Sequence, residues 1–546
     1  MSSGSQHDDA PSAHSGVQVP GSARLREIVE PNAAAAAGTS LASAVGMRLM
    51  AAFAVLFASM TVGPAGRQLT VPAGGDLQAA LNGAHGGDTI LLARGASYVG
   101  NFTLPTRSDS DGIVTVRTEG DQGFPGDGER ITPDAAAQLA KLRSPNSSPA
   151  LATAPSTRGW LVTLVEFQAN KDGVGDIITL GNGSKEQSAL EQVPSDLTLD
   201  RLFVHGDPER GQKRGVALNS ARTTIRGCYI SEIKAVGQDS QAILGWNGPG
   251  DYVIENNYLE AAGENLMFGS ADPSIADLVP TKIVVRDNLL SKPLAWRDSS
   301  APRWQIKNLF ELKNARQVLV EHNVMERSWP EAQTGYALLF TVRNQDGGCP
   351  WCIVEDVEFR NNLVRQAAGG IQILGADDAH PSRQTSRLRI HDNVFDGIDR
   401  KPWGGDGFFL VLTRGPRAVT IDHNTIIQGE SAGLINISDG LTPAFTLTNN
   451  LASHGDYGIK GSDHAVGNDS IEAYMPGAVI TGNVIAGGGG APYPKGNRFP
   501  SVGDFRRQFA AFDRHDFRLA ERSEWRRAGT DGRDVGANLE LVPTMR

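Results

Sequence analysis

One phrase recurs along this chain, and it limits the possible folds more than any other feature. It reads "YVIENNYLE", "KIVVRDNLLS", "QVLVEHNVME", "DVEFRNNLVR", "RLRIHDNVFD", "AVTIDHNTII", "AFTLTNNLAS" and "GAVITGNVIA". Aligned, the copies place an asparagine at Asn257, Asn288, Asn323, Asn362, Asn393, Asn424, Asn450 and Asn483. Two upstream copies, "LTLDRLFV" and "TTIRGCYI", put Leu202 and Cys228 there instead. Before the asparagine, apolar residues alternate with polar ones, the period of a half-buried strand. A second apolar run follows in each unit, for example "AILGW", "NLMFGS", "NLFELKN", "ALLFTVRN" and "GIQILGADD".

The ladder positions are separated by 26, 29, 31, 35, 39, 31, 31, 26 and 33 residues. No unit contains an amphipathic helix of the length that a parallel βα sheet or barrel requires. Propeller blades need four strands in about 40–45 residues, more than most of these gaps hold. The remaining architecture is an all-β solenoid of about ten or more turns, a parallel β-helix. Its turns stack at about 4.8 Å, and equivalent side chains form ladders. The asparagines are then expected to be buried at the turn between two strands, bonded to backbone and to one another.

A solenoid must close its ends against edge pairing. Asp76 can cap a short helix in "LQAALNGA", followed by the first strand, "DTILLA". The more polar Asp516–Val542 is expected to close the other end. Residues 120–195 break the rhythm and read as an insertion in an early turn, with a short helix from Asp134 to Leu142. The single domain is expected over 67–546.

Residues 1–46 are polar and rich in Ala, Ser and Pro, the composition of a disordered extension or of a misassigned start. At 47–66, Arg48 precedes the apolar run Leu49–Met60 and then small residues, the layout of a secretory signal peptide. The run is short of the roughly 20 residues a membrane span needs. A secreted or periplasmic monomer without a stable membrane span is therefore expected. The net charge of -10 argues against nucleic acid as partner. Cys349 and Cys352 in "CPWC" suit a short disulfide or two idle thiols, and no second pair exists to complete a zinc site.

The cap phrase, the asparagine ladder and the closing "AGTDGRDVGA" together resemble the secreted right-handed parallel β-helix proteins of the pectate-lyase-like superfamily, over roughly residues 70–540. The resemblance implies a right-handed coil and, for exported bacterial members, an acidic polysaccharide as partner. "GEN" at Gly263–Asn265 is faintly similar to the calcium-ligand segment of alginate and chondroitin lyases of this fold. It carries over Glu264 as a metal ligand. Those enzymes have a further glutamate shortly after, where this chain has Leu266 and Met267.

Chemistry is expected where the second strands end, because those ends are rich in charge and the middle units have the longest loops. Lys313, Arg343 and Glu311 are the candidate catalytic residues. Glu264, Asp346, Asp377 and Asp378 are candidate ligands for Ca²⁺, which takes several oxygens. Trp246, Trp304, Asn344, His380 and Trp403 are candidate substrate-binding residues, with Trp329 and Tyr336 as further aromatics for a groove. Three functions fit this set. A polysaccharide lyase must neutralise a uronate carboxylate and supply a base for β-elimination. A glycoside hydrolase would use two carboxylates, Asp377 and Asp378 being the obvious pair. The polygalacturonase strings "GHG" and "RIK" do not occur, which weakens a pectin hydrolase. A carbohydrate-binding protein without turnover is the third.

Overall fold

The computed structural model describes residues 66–107, 112–298, 303–490 and 492–543. The expected export segment and the extension before it lie outside these residues, apart from Gly66. Among the described residues, strands arrange into three long parallel sheets of 14, 13 and 12 strands, met in that order along each turn and called here sheets I, II and III. Each strand pairs with the equivalent strand one turn away. Ala315–Glu321 in sheet I, for example, lies between Thr281–Arg286 and Val354–Arg360. This is a parallel β-helix. No helix among the described residues is long and apolar enough to cross a membrane.

Alternation decides what faces inward. Ile254, Val285, Val320, Phe359, Ile390, Ile421, Leu447 and Ile480 are register partners on eight successive turns. All are buried, and they form one continuous row of the core. Burying each contributes roughly 1.5–3 kcal/mol. A row of phenylalanines crosses the interior beside it, with rings of Phe310, Phe340, Phe359 and Phe395 meeting in sequence at 6.3, 6.4 and 6.5 Å.

From Arg201–Leu202 to Gly482–Asn483, sheets I and II are joined by two-residue turns. The first residue of each turn has positive φ: 53° at Asn256, 58° at Asp287, 55° at His322 and 74° at Gly482. Asn, Asp and Gly visit this region at low cost, which explains the "NN", "DN" and "GN" pairs. The second residue points inward as the ladder. Asn323 donates from Nδ2 to Val285 O at 2.9 Å, to Glu321 O at 2.9 Å and to Asn362 Oδ1 at 2.9 Å. Its own Oδ1 accepts from the backbone N–H and the side-chain amide of Asn288, both at 3.0 Å. The ladder gains a ninth asparagine that the repeat does not show. Asn497 accepts from the Nδ2 of Asn483 at 2.9 Å, although it lies in a loop outside any strand pattern. Cys228 begins the ladder. It is buried, its thiol is pushed up to about 12 by desolvation, and its backbone N–H donates to Asn257 Oδ1 at 2.9 Å.

The N-terminal cap forms as expected. Helix Leu77–Asn82 is capped by Asp76, whose side chain accepts from the Ala79 N–H, and it buries Leu77 and Leu81. Two other expectations are corrected. Residues 120–195 are an insertion only in their first part, where 119–139 connect Val114–Thr118 of sheet I to sheet II, and the rest are turns of the coil. They supply Ala140–Arg143 and Val165–Gln168 to sheet II, Leu151–Thr153 and Asp176–Leu180 to sheet III, and Arg158–Thr163 to sheet I. The helix read at 134–142 shrinks to one 3₁₀ turn, Pro133–Ala135, because Ala140–Arg143 joins a sheet. The ladder phrase is missing there because the connections from sheet I to sheet II are the long segment 119–139 and the single residue Leu164. The C-terminal segment does not close the end either. Phe505, Phe509, Phe517, Trp525, Val535 and Val542 pack on Leu363, Val394, Leu451 and Val484, outward-facing residues of sheet II. Ile471 and Met475, in and just after helix Asn468–Tyr474, join the core near the last turns instead.

Candidate active site on sheet III

From Arg201–Leu202 onward the turns between sheets I and II keep two residues, so the variable gaps of the asparagine repeat fall elsewhere. They lie on the two edges of sheet III. Residues 292–309 and 329–335 enter it, and residues 269–280, 342–353 and 375–385 leave it. Sheet III is therefore a floor flanked by loops on a rigid scaffold, the usual setting of a binding site.

The entering loops build one wall from tryptophan. Trp296, Trp304 and Trp329 cluster with Ile306 and Ala262. The Lys234 ammonium lies 4.7 Å from the Trp304 ring centroid and 5.3 Å from that of Trp296. The leaving loops form the other wall. Asp272 accepts from the backbone N–H groups of Asp346 at 3.0 Å and Gly348 at 2.7 Å. The Cys349–Cys352 disulfide pins the same loop.

Between the walls runs a polar row across successive turns. Asp176 pairs with Arg214 at 2.7 Å, Arg214 donates to Gln241 Oε1 at 3.2 Å, and Gln241 donates to Glu264 Oε2 at 2.9 Å. Lys307 is shared between Asp239 and Glu264 Oε1, the latter at 3.4 Å. Glu311 accepts from Asn308 Nδ2 at 2.9 Å and from Thr341 Oγ1 at 3.1 Å, with the Lys313 ammonium at 3.7 Å. One turn on, the Arg343 backbone N–H donates to Lys313 O at 3.0 Å, and its guanidinium engages Asp377 at 3.2 Å and Asp378.

Burial sets the charge states. Glu264 is fully buried, and desolvation, reinforced by the nearby charge of Glu311, raises its pKa. Burial works against the Lys307 ammonium, but Glu264 and Asp239 outweigh it and raise its pKa. Desolvation opposes the Asp377 carboxylate, while N–H donation from Ala379 and Asn344 and the charge of Arg343 hold its pKa low. Beneath Glu264 lies Lys292, also fully buried. Its ammonium donates to Ala261 O at 2.8 Å, Ala262 O at 3.0 Å, Gly263 O at 2.6 Å and Asn265 Oδ1 at 2.9 Å. It braces the bend that presents Glu264.

The three candidate catalytic residues thus occupy neighbouring turns of one face. Lys313 and Arg343 are partly exposed, and Glu311 is buried beside Lys313. Other expectations are corrected. Trp304, Trp329 and Tyr336 are each 5% exposed and pack inside the walls, with the Tyr336 hydroxyl on Asp406 at 2.8 Å, so none offers a sugar platform. Asn344 is buried as a loop staple, accepting from Cys349 N–H at 2.7 Å and donating to Pro381 O at 2.7 Å. Trp246 and Trp403 are half-buried beneath Arg214 and Arg297, and His380 stands exposed. The four supposed calcium ligands do not meet. Glu264 is tied to Lys307 and Gln241, Asp377 and Asp378 to Arg343, and Asp346 is exposed on its loop. Among the described residues no three His, Cys, Asp or Glu side chains converge as a metal site.

Sequence reading missed Asp239, Gln241, Asn308 and Lys292. A usable sign existed for Gln241. "RGVAL", "QAILG" and "ENLMF" are register partners in sheet III and begin with Arg214, Gln241 and Glu264, a polar position one turn apart.

No family model and no curated protein matches this chain. Among solved structures it is similar to the PL6 family alginate lyase AlyGC, at 15% identity and TM-score 0.49 over 86% of this chain and 58% of that one. It is also similar to a mannuronic acid specific polysaccharide family 6 lyase from human gut microbiota, at 13% and 0.49 over 80% and 92%. A third likeness is to the catalytic unit of a GH87 alpha-1,3-glucanase from Streptomyces thermodiastaticus strain HF3-3, at 13% and 0.45 over 81% and 68%. The chain therefore spans little more than half of the first of these. At such identities and scores none of these likenesses is evidence for the chemistry of this chain.

Proposed function

We propose that this chain is an exported polysaccharide lyase, a monomer that cleaves a uronic-acid-containing polysaccharide by β-elimination. One observation carries the reading. Lys313 and Arg343 stand on adjacent turns of the floor of sheet III, bonded through their backbones, with Glu311 buried beside Lys313. Elimination requires three events. A base takes the C5 proton, the electron pair forms the C4–C5 double bond, and the glycosidic oxygen leaves C4. The uronate carboxylate resists the first event until its charge is countered. In this reading Lys313, as the neutral amine, takes the C5 proton and returns it to the departing glycosidic oxygen, while Arg343 counters the charge of the uronate carboxylate. Glu311 holds the Lys313 side chain in position.

Supposed ligands that do not meet give no support to a calcium step, so the assay is run with and without added Ca²⁺.

The test is incubation with alginate, pectate and glycosaminoglycans, following the ultraviolet absorbance of the unsaturated uronate product. K313A should lower the rate by about 10²–10⁴, the range for loss of a general base. Its melting temperature should fall only modestly, because Glu311 loses a cation but keeps its hydrogen bonds from Asn308 and Thr341. No absorbance on any polyuronate would rule the lyase out. Reducing ends without absorbance would identify a hydrolase, and retention on the polymer without either signal a binding protein.

A further inference from the structure

We infer that a second subsite for an acidic sugar lies at the N-terminal part of the same face, in the pocket lined by Arg143, Lys171, Arg210 and His205. It rests on the proposal that sheet III receives an acidic polysaccharide, and it adds where a distant unit of that chain is held.

The pocket has a volume of about 410 Å³ and is formed by three successive loops. These join Ala140–Arg143 to Leu151–Thr153, Val165–Gln168 to Asp176–Leu180, and Phe203–His205 to Arg214–Leu218. All three lead from sheet II into sheet III, the edge that further along carries the tryptophan wall. A polymer laid along the solenoid axis would pass both places. Strand Asp176–Leu180 is three turns from Glu264–Phe268 and four from Phe310–Leu312, a distance of about 14–19 Å at 4.8 Å per turn.

Charge distinguishes this pocket. Its lining has three cations and one carboxylate, Asp207, in a chain that is acidic overall. That carboxylate is already satisfied. It pairs with Arg210 at 2.8 Å and accepts from the backbone N–H groups of Glu209 and Arg210, both at 2.9 Å. Arg210 and these donors hold its pKa down to about 2, so it stays ionised and committed to Arg210. Arg143 and Lys171 are exposed, and neither joins an ion pair among the described residues. Two cations are thus left for an incoming anion. Hydroxyl-binding groups adjoin them. Ser144 and Gln168 line the pocket with Asn170, which is 1% exposed and whose carbonyl oxygen has no hydrogen-bond partner among the described residues. Cations beside neutral amide and hydroxyl groups suit a uronate, whose carboxylate and ring hydroxyls need both.

Affinity electrophoresis in gels containing alginate or pectate tests this, with a neutral glucan gel as control. Wild-type protein should be retarded in at least one polyuronate gel. R143A/K171A should bind that polymer with an apparent Kd raised about tenfold, equivalent to about 1.4 kcal/mol. R143K/K171R should stay close to wild type, because charge is retained. Both side chains are exposed, so the melting temperature should not move in either variant. If the wild type is retarded and R143A/K171A equally so, the second subsite is overturned while the lyase proposal stands. If no polyuronate retards the wild type, both fall. K313A, tested for turnover, separates the two sites, since its loss of product should come without the loss of retardation seen in R143A/K171A.

Discussion

Asn323→Ala should cost about 3–4 kcal/mol of stability, since each buried polar group left unpaired costs about 1–3 kcal/mol. The substitution removes one side chain and strands several groups. Asn288 loses the acceptor of its backbone N–H and of its amide, both at 3.0 Å. Val285 O loses a donor at 2.9 Å, and so does Asn362 Oδ1. The surrounding turns are too tightly packed for water to replace them all, because Asn288, Asn323 and Asn362 are all essentially inaccessible. Urea unfolding followed by far-ultraviolet circular dichroism measures the effect as a lower midpoint. A loss under about 1 kcal/mol would show that the ladder is decoration and not a support. Asn323→Leu should be as damaging, even though Leu202 occupies the equivalent place naturally. One turn before Leu202 the turn is the single residue Leu164, whose N–H donates to Asp200 O at 3.3 Å, whereas a leucine at 323 leaves the Asn288 N–H without its acceptor.

Lys292→Met is expected to destabilise by about 3 kcal/mol at pH 7–9, because three backbone carbonyls and one side-chain carbonyl lose their donor. The effect depends on pH with a sign that can be worked out. Burial lowers the Lys292 pKa from its ordinary 10.5 to about 7, against the opposing charge of Glu264. Between those values the unfolded chain binds a proton that the folded chain does not. Stability conferred through this residue therefore rises as pH increases from 7 toward 10.5, and it is lost as pH falls back through that window. Comparing wild type and Lys292→Met across this range isolates the residue from every other titrating group. The wild-type advantage should grow with pH. A difference that stays flat would mean that Lys292 keeps its proton in both states, and a negligible difference would mean that the bend before Glu264 does not need it.

The two substitutions separate scaffold from site. Asn323 lies at the turn between sheets I and II, away from sheet III, so Asn323→Ala acts on the stack of turns. Lys292 lies under the residue that begins strand Glu264–Phe268, so Lys292→Met acts first on the polar row.

Much of the scaffold was readable because a solenoid repeats its physics. Alternation gave the inward face of sheet I, and the asparagine gave the turn. The same reasoning failed where the repeat was silent. At residues 120–195 the two-residue turn is replaced by the segment 119–139 and by Leu164, and without the asparagine nearly two turns of the coil looked like an insertion. Asn497 joined the ladder from a loop, where no periodicity announces it.

The site was legible in kind but not in detail. The charge-rich ends of the sheet III strands pointed to Lys313, Glu311 and Arg343, and they do lie on neighbouring turns. The partners were not legible, because each belongs to a different turn. Lys307 meets Asp239 from 68 residues away and Glu264 from 43. Nothing local distinguishes a tryptophan that packs under a loop from one that faces a ligand, so Trp304 and Trp329 were misplaced.

The sequence alone thus determined a stacked all-β coil, its asparagine turn, its capping helix and the face on which charge gathers, because those depend on short-range periodicity repeated many times. Only the tertiary structure decided which carboxylates are buried, that Arg143 and Lys171 join no ion pair among the described residues, and where the C-terminal segment lies. Those depend on which loops of different turns come together, and loop lengths carry no period from which that meeting could be read.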